Sequence, residues 1–204
     1  MLTRRPHQRG MSLVELMVGV TITALLLVMA VPSVGSAIQN RQLRSAADGI
    51  QTGLSTARTE ALRRNRNVKF TLTPGTSSYT VGCETPDLTT DATTGEVLCP
   101  DSIQVRDQQE NSSRALVATS QQLGAGGAAS STTFTNTLSF TPLGRTTSAT
   151  LPAGNVAVFD ITSPTGTCAA SGGDMRCLRV VVSAAGQIRM CDPAATSSTD
   201  PRKC

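Results

Sequence analysis

The sequence is poor in the residues that build stacking platforms and proton relays. It has no Trp, one Tyr and four Phe in 204 residues, so unpaired nucleic-acid bases would find few rings to stack on. Its one histidine is His7, which leaves any cysteine or serine nucleophile farther along without an imidazole base. No two of its cysteines are spaced as CxxC, and with a single histidine the common zinc ligand sets are missing. No paired carboxylates at a readable spacing and no phosphate-cradling loop stand out either. The expectation is a non-enzymatic protein that carries no metal and no cofactor. A repeat of roughly 20 to 50 residues is also lacking, which excludes a solenoid. Charge is nearly balanced. The formal +4 includes Arg4, Arg5 and Arg9; without them, fifteen basic residues face fourteen acidic ones, a net of +1, and the global pull on a polyanion is small.

What is present begins with an apolar run, Met11 to Val31, whose one charged residue is Glu15. At about 1.5 Å per residue such a run spans roughly 30 Å, the thickness of a bilayer core. The basic residues before it set the N-terminus on the cytoplasmic side. A secretory signal peptide would have a shorter apolar core, though Ala30 and the VPSVGSA after it offer a cleavage site. Neither an anchor nor a signal peptide accounts for a carboxylate placed in hydrocarbon, which costs several kcal/mol unless it is compensated.

Beyond the run, Leu43, Ala46, Ala47, Ile50, Leu54, Ala57 and Ala61 recur every three or four residues and define one stripe of an amphipathic helix, with Arg41, Arg44, Asp48 and Arg58 off it. Pro32 and Gly35 are placed to bend or loosen the helix. A stop is expected near Asn65 to Asn67, where Arg63, Arg64, Arg66 and Lys69 read as a solvated C-terminal turn favoured by the helix dipole. The rest alternates short apolar runs (VKFTLT, SYTVG, SRALVAT, TLSFTPLGRT, NVAVFDIT, CLRVVV, QIRM) with Gly, Pro, Asp and Ser clusters, the pattern of antiparallel strands. Residues 123 to 133, LGAGGAASSTT, read as a loop. The fold class is therefore α+β, with a long N-terminal helix packed on small antiparallel sheets. Four segments follow: a leader at 1–10, an apolar helix at 11–31, an amphipathic helix at 32–67 and a β-rich head at 68–204.

All six cysteines, Cys83, Cys99, Cys168, Cys177, Cys191 and Cys204, follow the apolar run. An even count beyond a membrane-directed segment reads as disulfides in an oxidising compartment. Connectivity stays open on sequence alone. Context ranks Cys168 with Cys177 across a Gly-rich loop, Cys83 with Cys99 around an otherwise structureless segment, and Cys191 with Cys204 across a Pro-containing tail.

The stretch RG followed by MSLVEL resembles the class III leader of type IV pilins and type II secretion pseudopilins. The resemblance implies cleavage by a prepilin peptidase between Gly10 and Met11, N-methylation of Met11, and a role for Glu15, fifth from the cut, in pairing with the terminal amine of a neighbouring subunit. Members commonly have Phe where Met11 stands. FTPLGRTTS at 140–148 and GQIRMCDP at 186–193 are similar to the two signatures of the GspH/FimT group of minor pilins and pseudopilins. That group implies a structural subunit of a pilus tip, with other pilins as partners, an inner-membrane stage with a periplasmic head, and export to the cell surface. A pseudopilus of a secretion system is the variant. The other alternative is DNA uptake: DNA-binding members carry Gly-Arg-x-Arg where Gly186, Gln187, Ile188 and Arg189 stand here. One arginine is therefore missing, and a contact through Arg176, Arg179 and Arg189 is disfavoured by interleaved Asp174, Asp192 and Asp200.

Overall fold

The computed structural model describes residues 11–111, 114–123 and 135–204, apart from the side chains at 27–34 and 110–111. The expected leader with Gly10, and nearly all of the low-complexity loop, lie outside the described residues. Helix α1 runs from Leu13 to Arg64, and its assignment is unbroken at Pro32 and Gly35. It ends as expected. Asn65 takes a left-handed φ of 51°, and the Arg66 N–H reaches back to the Ala61 carbonyl at 3.3 Å, the closure that lets Asn stand in for Gly at a helix C-terminus. One compact unit ends at Ile38 and the other spans Gln39–Cys204.

In the first unit the described apolar side chains are exposed all round α1, from Met11 at 73% to Leu26 at 64%. A helix apolar on every side belongs in hydrocarbon or among other helices. Among the described residues, no helix is long and apolar enough to cross a membrane; the side chains of the Met11–Val31 run are described only as far as residue 26.

In the second unit every residue of the stripe, Leu43 through Ala61, is buried. It faces two antiparallel sheets. The first joins β1 (Val68–Leu72), β2 (Tyr79–Cys83), β5 (Gln104–Arg106) and β7 (Thr137–Phe140) in the order β5-β2-β1-β7; the second joins β6 (Leu116–Leu123), β8 (Asn155–Thr162), β9 (Leu178–Ser183) and β10 (Ile188–Cys191) in the order β10-β9-β8-β6. Alternation in β1 sends Val68, Phe70 and Leu72 inward. Phe70 lies 5.0 Å from the Tyr79 ring and makes an edge contact with Phe159 of β8 at 5.9 Å, so one aromatic cluster ties both sheets together. Gly53 makes room for it: a Cβ there would stand 2.5 Å from the Tyr79 ring.

Three disulfides, Cys83–Cys99, Cys168–Cys177 and Cys191–Cys204, use all six cysteines. Strand β8 is buried on both faces. Its inward residues Ala157, Phe159 and Ile161 join the main core, while Val156 and Val158 form a second cluster with Val181, Cys191 and Cys204. The C-terminal tail covers that outer face, held by the disulfide and by the Asp192 N–H on the Arg202 carbonyl at 2.7 Å. Cys204→Ser should lower the unfolding free energy by about 2 to 4 kcal/mol, the loop-closure value for a native bridge. Denaturant melts of wild type and variant check this, and an unchanged midpoint would show that the tail adds no stability.

The segment after β2 differs from expectation. It forms a ribbon, β3 (Asp87–Thr90) with β4 (Val97–Cys99), then β5 and a one-turn α2 (Gln108–Asn111). The ribbon takes up Arg64 from the basic cluster at the end of α1, while Arg63 and Arg66 stay half exposed, as a solvated turn would have them. Arg64, only 12% exposed, meets Glu60 at 2.7 Å and donates to the Val97 and Leu98 carbonyls at 2.8 and 2.9 Å. Arg63 reaches Glu96, Arg66 reaches Asp87 and Lys69 reaches Asp101 at 3.2 to 3.4 Å. Burial pulls the Glu60 carboxyl upward, but the hydrogen bonds and charges of Arg63 and Arg64 outweigh it and hold the group below its ordinary value.

Candidate assembly site

Glu15 lies in the first turn of α1, where the helix dipole favours a negative charge. It borders a shallow groove with Met11, Leu16, Gly19, Val20 and Thr23. The two threonines farther along are internally satisfied. The Thr21 hydroxyl donates to the Met17 and Val18 carbonyls at 3.1 and 2.9 Å, and the Thr23 hydroxyl to the Gly19 carbonyl at 2.7 Å. Such back-bonding lets a hydroxyl enter an apolar medium at little cost. Glu15 is the one charged side chain on this described surface, exposed beside an exposed Met11.

The two C-terminal signatures meet in the head. FTPLGRTTS turns through Gly144 (φ 72°) just after β7, and GQIRMCDP begins at Gly186 (φ 80°) in the β9–β10 hairpin turn. Thr146 bonds the Ala184 carbonyl twice, through its N–H at 3.3 Å and its hydroxyl at 3.1 Å. Arg58, from the polar side of α1, donates Nε–H to the Gly144 carbonyl at 3.1 Å. Helix, first sheet and second sheet are thus latched at one point. Gly186 lets backbone approach backbone: a Cβ there would collide with the Gly144 carbonyl oxygen.

The three candidate arginines are not equivalent. Arg179 faces Asp160 across β9 and β8 and its Nε lies 2.7 Å from the carboxylate, both only partly exposed; it is committed to a cross-strand pair and is not a free cation. Arg189 is exposed on the edge strand β10, beside exposed Gln187. Arg176 enters a separate cleft with Arg202, and with Arg41 and Arg44 of α1. Sequence reasoning placed those last two only as off-stripe residues; their i, i+3 spacing, one turn ahead of Asp48, was the signal available. Among the described residues, no group of three His, Cys, Asp or Glu is arranged to hold a metal.

Comparison with known proteins bears on both halves of the chain. The prokaryotic N-terminal methylation motif matches residues 5–31, which bracket Gly10, Met11 and Glu15. No curated protein matches. Two crystal structures of the type IV minor pilin FimU of Pseudomonas aeruginosa (strain PAO1) are similar. One is 18% identical over 78% of this chain and 94% of that one, with a TM-score of 0.48; the other is 17% identical over 76% and 97%, with a TM-score of 0.45. Residues 46–186, from the buried stripe of α1 to the glycine of the β9–β10 turn, match the family described as type II transport protein GspH, and with well over half of the chain covered, the protein belongs to that family.

Proposed function

We propose that the protein is a minor pilin, a structural subunit that helps start and cap a type IV pilus. A prepilin peptidase removes residues 1–10, Met11 becomes the methylated N-terminus, and residues 11–31 hold the subunit in the inner membrane, with its disulfide-stapled head in the periplasm, until it enters the filament. Other pilins are its partners there, and it performs no chemistry of its own. The observation that carries this reading is the coincidence of the methylation motif at 5–31 with a first stretch of α1 on which Glu15 is the one charge before Arg41 and the Thr21 and Thr23 hydroxyls already donate to their own helix. A buried carboxylate is tolerable when a neighbour's amine pairs with it.

Intact-mass measurement on membrane-extracted protein tests the first step. The expected species lacks residues 1–10 and carries one methyl group on Met11. An N-terminus at residue 31 or beyond would mean ordinary signal-peptide removal and would end the pilin reading. A subunit that is processed but absent from sheared pili belongs instead to a secretion pseudopilus.

A further inference from the structure

The cleft that receives Arg176 holds about 440 Å³ and is lined by Arg41, Arg44, Arg176 and Arg202 together with Leu178 and Met190. Its four guanidiniums are not four free charges. Asp200 holds Arg202 through two bonds, at 3.1 and 2.8 Å. Arg44 stands 3.9 Å from Asp48, both well exposed. Arg41 and Arg176 make no ion pair among the described residues. Arg176 is nevertheless fixed at its root: its backbone N–H donates to Asn40 Oδ1 at 2.8 Å, and the next residue, Cys177, is bonded to Cys168. The opposite wall is fixed too, since Arg202 lies in the tail tied down by Cys191–Cys204.

We infer that this cleft binds a carboxylate side chain of an acidic peptide segment, with an adjacent aliphatic residue covering Leu178 and Met190. Resting on the pilin reading above, the segment belongs to a neighbouring subunit of the filament. Two unpaired guanidiniums match one carboxylate through charge-assisted N–H···O bonds. A cavity of this size takes two or three side chains and sits at the small end of ligand pockets. Asp192 in its wall opposes a phosphate dianion more strongly than a carboxylate monoanion, and no aromatic residue lines it for a base to stack on. An acidic peptide therefore fits better than nucleic acid.

The test uses the full chain in detergent micelles, with its arginine Nε–H resonances followed by NMR. The probes are capped Leu-Asp-Leu, its Leu-Asn-Leu isostere, inorganic phosphate and a short DNA duplex. Leu-Asp-Leu should shift the Arg41 and Arg176 signals, and Arg41→Gln with Arg176→Gln should weaken its binding by about tenfold or more, the scale of losing charge-assisted bonds. Arg189→Gln, outside the cleft, should bind as wild type does. The inference is overturned if Leu-Asn-Leu binds equally, if phosphate or the duplex binds more tightly, if Arg189→Gln weakens binding as much as the double variant, or if no probe moves the two signals. The titration does not depend on assembly. A chain that binds the peptide yet never enters pili keeps the cleft and loses the pilin reading, and a chain that enters pili without binding does the reverse.

Discussion

Glu15→Gln is expected to leave membrane insertion intact while cutting incorporation into pili by at least about tenfold. The amide is cheaper than the carboxylate to place in hydrocarbon, so insertion should improve slightly if it changes at all. Assembly responds in the opposite direction. Removing one member of a buried ion pair leaves the other charge uncompensated, at about 3 to 5 kcal/mol, and each 1.4 kcal/mol is tenfold in an equilibrium. The helix offers no second anion to soften the loss, because α1 carries no other charge before Arg41. Blots of sheared pili and of membranes from the same cells separate the two effects. Equal incorporation of wild type and variant would remove the assembly role from Glu15, and loss from the membrane would make it an insertion determinant instead.

The helix was legible because its signal is periodic. Seven residues three and four apart all proved buried, and the stop fell at Asn65 because Asn tolerates a left-handed φ. Strands β1, β2, β8, β9 and β10 were legible from alternation and β-branched runs, and TLSF was caught with an overlong end, since FTPLGRT becomes a turn after Phe140. The ribbon β3–β4 was not legible. DLTT carries no apolar alternation and faces solvent; the ribbon is held by the Cys83–Cys99 bridge and by arginines far away in sequence, interactions with no local signature. The same blindness misread Arg64, whose carbonyl partners on Val97 and Leu98 lie more than thirty residues on. The basic cleft is tertiary in the same way: helix, disulfide loop and tail each bring arginines, and no single stretch looks basic once its aspartates are counted.

The latch between the two signature turns rests on a glycine that is needed both for its φ and for its lack of a side chain. Gly186→Ala should destabilise by about 2 kcal/mol or more, from two independent sources. A non-glycine residue at φ 80° costs on the order of 1 to 3 kcal/mol, and the new Cβ must push the 144 carbonyl away, an overpacking strain of about 1 to 3 kcal/mol. Because that carbonyl also accepts from Arg58, moving it loosens α1 as well as the two sheets. Gly154→Ala is the control: its φ is 84°, yet a Cβ there meets nothing within 4 Å, so it should show the conformational cost alone. For a domain of this size each kcal/mol is roughly 2 to 4 °C of melting temperature, and thermal melts of the two variants should differ by several degrees. Equal melting points would mean that the collision is relieved without cost. Arg58→Ala in the Gly186→Ala background then reads the coupling: if the glycine contact holds the Arg58 bond in place, the second substitution should cost less there than it does in the wild type.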